Sequence, residues 1–261
     1  MPEAADNSHW LNTVTRSSVV EDLRAGLETG GRVVAQGSRG SSTTLLAGAL
    51  AVGLDRPIVL AVAHLDEADD ALEDLALFDQ AGIELPCERL SALEVLPGES
   101  AVSLELLAER LALVQKLMQL RQDGEHWPGV IVAPIQALMQ AIPEPSALAD
   151  WFLTISEGQQ LGPNQLVNWL ADAGYRRVDV IEEVGDFAMR GGIVDIYPPT
   201  AESGAIPGPI RVDYFGDEID TLSVIDPDTM GSSGSVKSVS LVGADSGKLQ
   251  SDERTTSFLK L

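Results

Sequence analysis

Basic residues are scarce in this sequence. Its 17 Lys and Arg residues stand against 40 Asp and Glu residues, which gives a formal net charge of −23. Nucleic-acid affinity depends largely on cationic side chains that neutralise phosphates, so the chain as a whole is predicted to bind nucleic acid poorly. A local basic patch on one domain stays compatible with this charge balance.

Cysteine, histidine and long hydrophobic runs are scarce as well. Cys87 is the only cysteine, so no intramolecular disulfide can form, which suits a reducing cytosol. The three histidines are scattered and provide no metal-ligand cluster. The longest strongly apolar run, residues 58–63, is much shorter than a membrane span, and residues 1–10 lack a signal-peptide pattern. We therefore expect a cytoplasmic protein with no membrane segment, no metal and no cofactor.

Aromatic residues are few, but the apolar content is sufficient for folded domains. Apolar residues occupy 44% of the 261 positions, enough for one large domain or two modest ones. With only 5 Phe, 3 Tyr and 4 Trp, the interior must be filled mainly by aliphatic side chains.

The first 150 residues alternate candidate strands with candidate helices. Strands are expected at residues 32–36, 57–63 and 129–133, and the last two have the apolar run of buried parallel strands. Helical periodicity or composition is found around residues 19–27, 41–52, 66–78 and 103–120. This alternation predicts a parallel α/β layer up to about residue 150.

Beyond residue 150 the pattern changes to short segments separated by Gly and Pro. A helix at residues 163–173 begins with Pro and ends before Gly174. Short strands are expected at residues 176–181, 187–189, 193–197, 210–215 and 222–225. We predict a small α+β domain with an antiparallel sheet over residues 151–245. The segment from Gly231 onward reads as loop-rich, and residues 246–261 are expected to form a tail that returns toward the first domain.

The loop after the first strand has the layout of a phosphate-binding loop. Helicase-type loops read G-x-T-G-S-G-K-T, and four residues match in register: Gly37, Gly40, Ser41 and Thr44. Thr43 stands at the lysine position, and its neutral hydroxyl cannot supply the charge that reaches the outer phosphates. No acidic Walker B run follows an apolar strand. We interpret the loop as degenerate and assign no catalytic residue.

The most specific pattern lies between residues 174 and 230. Its segments, in order, are Arg190-Gly191, Val194-Asp195-Ile196-Tyr197-Pro198, Arg211-Val212-Asp213-Tyr214-Phe215, Asp217-Glu218-Ile219-Asp220 and residues 226–229. They resemble the second domain shared by UvrB and the transcription-repair coupling factor family. Upstream, the resemblance extends to about residue 30. It implies a mixed α/β chain: a degenerate helicase-like parallel α/β domain at residues 1–150, then a UvrB-interaction-type α+β domain at residues 151–245.

Residues 90–117 distinguish between the two families. In UvrB a long, Tyr-rich hairpin that clamps DNA interrupts this region, whereas residues 96–99 here run almost directly into the long helix. The coupling factor family is therefore the better match. A complete coupling factor continues with an RNA-polymerase-binding domain and a double-stranded DNA translocase. Three origins fit this shorter chain: a fragment, a truncated reading frame or a stand-alone protein.

The resemblance implies a docking surface for UvrA. In the family this surface uses arginines and an acidic residue, and the matching positions are Arg190, Arg211, Asp213 and Arg177 or its neighbour Arg176. A further UvrB arginine falls on Ala188 here. Strand alternation adds Phe215 to the face that carries Arg211 and Asp213, and it turns Ile210, Val212 and Tyr214 toward the core. Arginine and aromatic residues are enriched in protein interfaces.

Several alternatives stay open at this point. The charged residues also fit cross-strand ion pairs of small energetic value. The leading hypothesis is a non-catalytic adaptor that recruits UvrA in transcription-coupled nucleotide excision repair. In it, RNA polymerase and double-stranded DNA would be bound by segments that this chain lacks. The competing hypotheses are an ATPase that uses the altered loop and a UvrB-like DNA-loading subunit.

Overall fold

The computed structural model describes residues 8–30, 32–54, 56–93, 102–125, 127–199, 208–226, 229–243 and 253–260, together with residues 245 and 249. The chain divides into two compact units. The first contains residues 1–92, 116–140 and 261, and the second contains residues 93–115 and 141–260. Residues 94–100, where the absence of a clamp hairpin was inferred, lie outside the described residues.

In the described ranges the chain forms both helices and strands, which confirms the mixed α/β class. The helices are α1 (Ser8–Thr15), α2 (Ser18–Glu28), α3 (Ser41–Leu54), α4 (Leu65–Gln80), α5 (Leu104–Asp123), α6 (Ile135–Met139), α7 (Pro145–Leu148) and α8 (Pro163–Asp172). The strands are β1 (Ile58–Val62), β2 (Cys87–Arg89), β3 (Val130–Pro134), β4 (Ala141–Pro143), β5 (Phe152–Ser156), β6 (Arg176–Arg177), β7 (Asp186–Arg190), β8 (Ile193–Ile196), β9 (Ile210–Phe215), β10 (Glu218–Ile225), β11 (Ser232–Ser235), β12 (Ser238–Val242) and β13 (Thr255–Ser257). None of these helices is both long enough and apolar enough to cross a bilayer.

The first unit is built on a three-stranded parallel sheet in the order β1–β3–β2. The central strand β3 is buried along its whole length, as its continuous apolar run predicts. Helices α3 and α4 pack in the same core through small and apolar residues, including Ala49, Ala71, Leu75 and Phe78. The parallel arrangement predicted for this part of the chain is therefore confirmed.

Two details of the first unit differ from expectation. Residues 32–36 form no strand, and Val34 is 66% exposed, because these residues have no paired strand and little apolar cover. Strand β1 is parallel, but it is not fully buried: within the described residues it pairs only with β3, and Val59 is 37% exposed. An apolar run alone does not distinguish an edge strand from a central one.

The second unit contains a six-stranded sheet in the order β11–β10–β9–β8–β7–β6. Neighbouring strands are antiparallel except β6 and β7, which are parallel. Helix α8 contributes Leu166 and Leu170 to the core that covers one face of this sheet. On that face the sheet presents buried residues Phe187, Val194, Ile196, Ile210 and Val212. We call the opposite face of the sheet the outer face.

Tight turns and a bulge set the register of this sheet. Arg190 pairs with Ile193 and Phe215 pairs with Glu218, so each hairpin has a two-residue turn. The first residue of each turn is glycine with positive φ (Gly191, +61°; Gly216, +66°), a conformation that other residues rarely adopt. On β10 the register shifts between Ile219 and Thr221.

The remaining differences concern the expected strand at residues 176–181 and the tail. Only Arg176 and Arg177 form a strand, because the chain then leaves the sheet and Ile181 packs with Ala188 and Ile225 in a small separate cluster. The segment expected to be loop-rich contains three short strands: β11 joins the six-stranded sheet, β12 pairs with β5, and β13 pairs with β4.

Candidate functional site

The degenerate phosphate loop is held by its own hydroxyl groups. Gly37 and Gly40 have positive φ (+87° and +53°), and α3 begins directly afterwards. The hydroxyl oxygens of Ser38 and Thr43 are 2.7 Å apart, so these groups share a hydrogen bond. The Ser42 hydroxyl donates to the Arg39 carbonyl at 2.7 Å and accepts from the Arg39 amide at 2.8 Å. The residue at the lysine position is therefore engaged within the loop.

Carboxylates line the groove beside this loop. The groove has a volume of about 390 Å³, and its walls include Thr43, Thr44 and three acidic residues of α4: Glu67, Asp70 and Asp74. Glu67 also accepts a hydrogen bond from the Ala63 amide at 2.9 Å. Negative charge at this position repels a polyphosphate, so the arrangement opposes the charge requirement of a nucleotide site. Within the described part of the chain, no group of three or more His, Cys, Asp or Glu residues is placed to hold a metal ion.

We expect no saturable ATP binding at this groove. A ligand present at about 100 times its Kd would stabilise the folded state by about 2.7 kcal/mol, a rise of several degrees in Tm for a chain of this size. Thermal unfolding with millimolar Mg·ATP is therefore expected to show no concentration-dependent rise in Tm. Thr43→Lys is expected to behave in the same way, because the three carboxylates remain. A rise in Tm that saturates with ATP in the wild-type chain would contradict this prediction.

The outer face of the six-stranded sheet collects most of the charged residues expected to bind a partner. Across β7, β8 and β9, Arg190 pairs with Ile193 and Ile193 with Asp213, which forms one row of side chains. Asp195 pairs with Arg211 in the next row, roughly 7 Å along the strands. Opposed residues share a face, so these side chains form one continuous patch.

Arg211 is held by a carboxylate on the neighbouring strand. Its Nε donates to Asp195 Oδ1 at 2.7 Å and its Nη2 donates to Asp195 Oδ2 at 2.9 Å. The Arg211 side chain is 24% exposed and that of Asp195 is 9% exposed. The hydrogen bonds to Asp195 raise the pKa of Arg211 above its ordinary value, so the guanidinium stays charged. The cross-strand ion pair considered as an alternative is therefore present at this position.

Arg190 is held in another way. Its Nη2 donates to the Asp179 carbonyl oxygen at 2.5 Å, and the residue is exposed. A carbonyl carries no net charge, and Arg190 forms no ion pair with any described residue. Asp213, in the same row, accepts a hydrogen bond from the Thr221 hydroxyl at 3.3 Å and stays partly exposed. This row therefore presents a cation and an anion, with the 36%-exposed Ile193 between them.

Arg176 and Arg177 have different surroundings. Arg176 pairs in register with Asp186, which places it on the outer face, and it also forms an ion pair with Glu183 at 2.9 Å. Arg177 is opposite the core residue Phe187, so strand alternation directs it to the other face at the sheet edge. It is exposed, and within the described residues it forms no ion pair. Of the two neighbours, Arg176 is the one that shares the outer face with Arg190 and Arg211.

Asp186 connects Arg176 to the loop that follows β6. Its carboxylate accepts from Arg176 Nε at 2.8 Å and from the amides of Glu182 and Glu183 at 3.2 and 3.0 Å. Burial alone would raise the pKa of Asp186, but these hydrogen bonds hold it below its ordinary value. Its stabilising contribution is therefore complete above about pH 4, the ordinary aspartate range, and is lost as pH falls through the lower folded-state pKa.

Asp186→Asn is expected to lower the free energy of unfolding by about 1–3 kcal/mol at pH 7, because asparagine keeps a single acceptor oxygen, which cannot serve both Arg176 Nε and the two backbone amides. The difference from wild type should shrink as pH falls below about 4. Urea unfolding at pH 7, 5 and 3 measures it. Asp150→Asn is the control, since the Asp150 carboxylate forms an exposed ion pair with Arg254, and it should change stability by less than about 1 kcal/mol. A difference that grows toward low pH would contradict this explanation.

Phe215 is the most exposed aromatic residue of this face and lies on a well-supported hairpin. It is 83% exposed at the end of β9, two residues beyond Asp213. The hairpin tip is held by the chain before α8: Gln160 Nε2 donates to Glu218 Oε2 at 2.6 Å, and the Ile219 amide donates to the Gln159 carbonyl at 3.0 Å. The tip is therefore fixed although its aromatic side chain has little cover.

The structure thus brings together five of the six residues expected to bind a partner, on one face: Arg176, Arg190, Arg211, Asp213 and Phe215. Arg177 lies at the sheet edge. Asp195 and Ile193 were not among the residues expected to bind a partner. The apolar-Asp-apolar pattern of β8 marked Asp195 in the sequence. Only the pairing register of β8 and β9 showed that Asp195 lies opposite Arg211.

Comparison with known proteins agrees with these observations. The sequence profile of the UvrB interaction domain matches residues 153–246. The transcription-repair-coupling factor of Bacillus subtilis (strain 168) is 28% identical over 246 residues, covering 94% of this chain and 19% of that protein. That of Myxococcus xanthus is 28% identical over 255 residues, covering 93% of this chain and 20% of the relative. The transcription-repair-coupling factor of Escherichia coli (strain K12) is 30% identical over 189 residues, covering 72% of this chain and 15% of that protein.

The chain therefore spans about a fifth or less of the length of these curated relatives. The matched segment contains the six-stranded sheet and its outer face. Residues 153–246 belong to the UvrB interaction domain family, within a chain that is similar to transcription-repair-coupling factors over most of its length.

Proposed function

We propose that this chain is a non-catalytic adaptor whose outer face docks on UvrA, as part of transcription-coupled nucleotide excision repair. One observation carries the proposal: the side chains of Arg190, Arg211, Asp213 and Phe215 share a solvent-facing surface in a domain of the UvrB interaction family. The coupling-factor relatives support the repair context.

The chemistry of the outer face favours a protein partner with an acidic surface. Four of the 13 arginines in the chain lie between residues 176 and 211, although the molecule as a whole carries a charge of −23. The positive charge of Arg190 and the remaining N–H donors of Arg211 would be met by acidic groups on a partner, and like-charge repulsion from the rest of the molecule disfavours other approaches. Exposed Phe215 adds an apolar anchor of the kind that contributes strongly to binding energy.

The first unit has no catalytic part in this proposal. The loop of residues 37–44 lacks the lysine, its hydroxyls bond within the loop, and carboxylates line the adjacent groove. In a longer protein of this kind, RNA polymerase binding and DNA translocation would belong to segments outside residues 1–261.

Calorimetric titration of the full chain with UvrA tests the proposal. A complex is expected with a Kd in the micromolar range or below. Its affinity should fall as ionic strength rises from about 0.1 to 0.5 M, because exposed ion pairs are screened. A gel shift with double-stranded DNA at low salt should show no comparable binding, given the net charge of −23. Failure of the folded chain to bind UvrA at tens of micromolar would refute the proposed function.

A further inference from the structure

Asp195 and Arg211 form a planar, two-bond ion pair on the outer face. The two residues are directly opposed on β8 and β9. The bonds from Nε and Nη2 to the two carboxylate oxygens are 2.7 and 2.9 Å long. Paired donors on one edge of a guanidinium fix its plane as well as its position. Asp195 is only 7% exposed, so its carboxylate is itself held within the sheet.

The pair leaves part of Arg211 available. A guanidinium carries five N–H donors, and the bonds to Asp195 engage two of them. The other three stay directed away from Asp195 in a fixed orientation. Ordering a long, flexible side chain in advance lowers the entropy lost on binding. The opposed carboxylate also neutralises most of the charge of Arg211 at longer range, which distinguishes it from Arg190.

We propose that Asp195 is a positioning residue for UvrA recognition. It holds the Arg211 guanidinium so that the uncommitted N–H groups meet acceptors on UvrA. This inference rests on the proposed function. The two arginines then contribute differently to binding. Arg190, which is bonded to a carbonyl, acts through its charge, whereas Arg211 acts through directed hydrogen bonds. Salt screens the first kind of interaction more strongly than the second.

The test is a double-mutant cycle on UvrA affinity with the full chain, using Asp195→Asn, Arg211→Ala and the double variant. Asp195→Asn is expected to weaken binding about tenfold, and by less than about twofold when Arg211 is already alanine, because residues in one network are not additive. Asp195→Glu should recover part of the loss. Asp150→Asn, which removes the partner of Arg254 elsewhere in the same unit, should leave affinity unchanged.

Two further measurements separate positioning from a merely structural role. Asp195→Asn should steepen the salt dependence of UvrA binding, since it uncovers the charge of Arg211. Arg211→Lys keeps the charge but cannot make both bonds, so it should weaken binding about as much as Asp195→Asn. It also tests the inference with Asp195 intact, should Asp195→Asn fail to fold.

The possible outcomes are distinguishable. If Arg211→Ala weakens binding while a folded Asp195→Asn and Arg211→Lys do not, the positioning role is overturned and the proposed function stands. If Asp195→Asn weakens binding equally with and without Arg211, Asp195 acts independently and the inference also fails. If neither Arg211→Ala nor Arg190→Ala changes affinity, the proposed docking surface itself is wrong.

Discussion

Replacing Arg190 and Arg211 together with alanine is expected to weaken UvrA binding by about 100-fold or more. Central interface arginines commonly contribute about 2 kcal/mol each when truncated, and each 1.4 kcal/mol corresponds to a factor of ten in Kd. Arg190 contributes its positive charge, and Arg211 contributes oriented donors held by Asp195. The two lie in adjacent rows of the outer face, so both should contact the same partner surface.

The double variant should remain folded. Arg190 is exposed, and the core residues beneath β9, Ile210 and Val212, are unchanged. Loss of Arg211 leaves the Asp195 carboxylate without the two donors that Arg211 supplies, so a decrease of about 1–3 kcal/mol in the free energy of unfolding is expected. Circular dichroism and thermal unfolding measure this, and calorimetry measures the affinity.

A matched control separates specific contacts from a change in total charge. Arg24→Ala with Arg254→Ala removes the same two positive charges, from residues whose ion pairs lie elsewhere, with Glu28 and Asp150. This control should bind UvrA within about threefold of the wild-type chain, because exposed ion pairs contribute little and act through screened charge. Equal losses in both double variants would show that net charge, and not the outer face, governs binding.

Phe215→Ala is expected to weaken UvrA binding by about 10- to 100-fold with almost no effect on stability. The ring is 83% exposed, so folding gains little from it, whereas an aromatic anchor buried by a partner typically contributes about 1.4–3 kcal/mol. Its hairpin is already fixed by Gln160 and Gln159, so the ring is presented without further ordering of the backbone.

Phe187→Ala is the matched comparison. Phe187 is the same residue type in the same sheet, but it is only 1% exposed and lies in the core. Its truncation should lower the free energy of unfolding by about 3–5 kcal/mol, and binding should decline only as the unfolded fraction grows. Chemical unfolding and UvrA titration of both variants give the two effects. Unchanged affinity in Phe215→Ala would remove Phe215 from the docking surface.

Alternation along one strand was sufficient to predict which side chains of β9 face outward. Ile210 and Val212 are fully buried, while Arg211, Asp213 and Phe215 lie on the opposite face, because side chains on a strand point alternately to either side. Strand β10 does not follow simple alternation. Ile219 and Leu222 are three residues apart, so simple alternation would place them on opposite faces, yet both are fully buried. The register shift between Ile219 and Thr221 reverses the faces to which the following side chains point.

The pairing register of strands separated by a long connection could not be predicted from the sequence, for a different reason. The Gly191-Gly192 turn predicts how β7 meets β8, since a two-residue turn fixes the pairing of its flanking residues. Strands β8 and β9 are joined by residues 197–209, a connection too long to determine pairing. The opposition of Asp195 and Arg211 therefore came only from the structure, and with it the finding that Arg211 is held by a carboxylate.

In the first unit, too, local features could be predicted from the sequence, whereas the packing between distant elements could not. Thr43 at the lysine position predicted a degenerate loop from the sequence alone. The carboxylates of Glu67, Asp70 and Asp74 beside that loop depend on how α4 packs against α3, which no local pattern specifies. The strand expected at residues 32–36 is absent for a related reason, because an apolar segment becomes a strand only where a neighbouring strand pairs with it.

Hydroxyl-radical footprinting with and without UvrA tests the central claim most directly. Phe215 and Met139 are matched in exposure, 83% and 82%, but Phe215 lies on the outer face and Met139 in the first unit. Saturating UvrA should suppress oxidation of Phe215 severalfold and leave oxidation of Met139 unchanged. Equal oxidation of Phe215 in the free chain and in the UvrA complex would contradict docking through this surface.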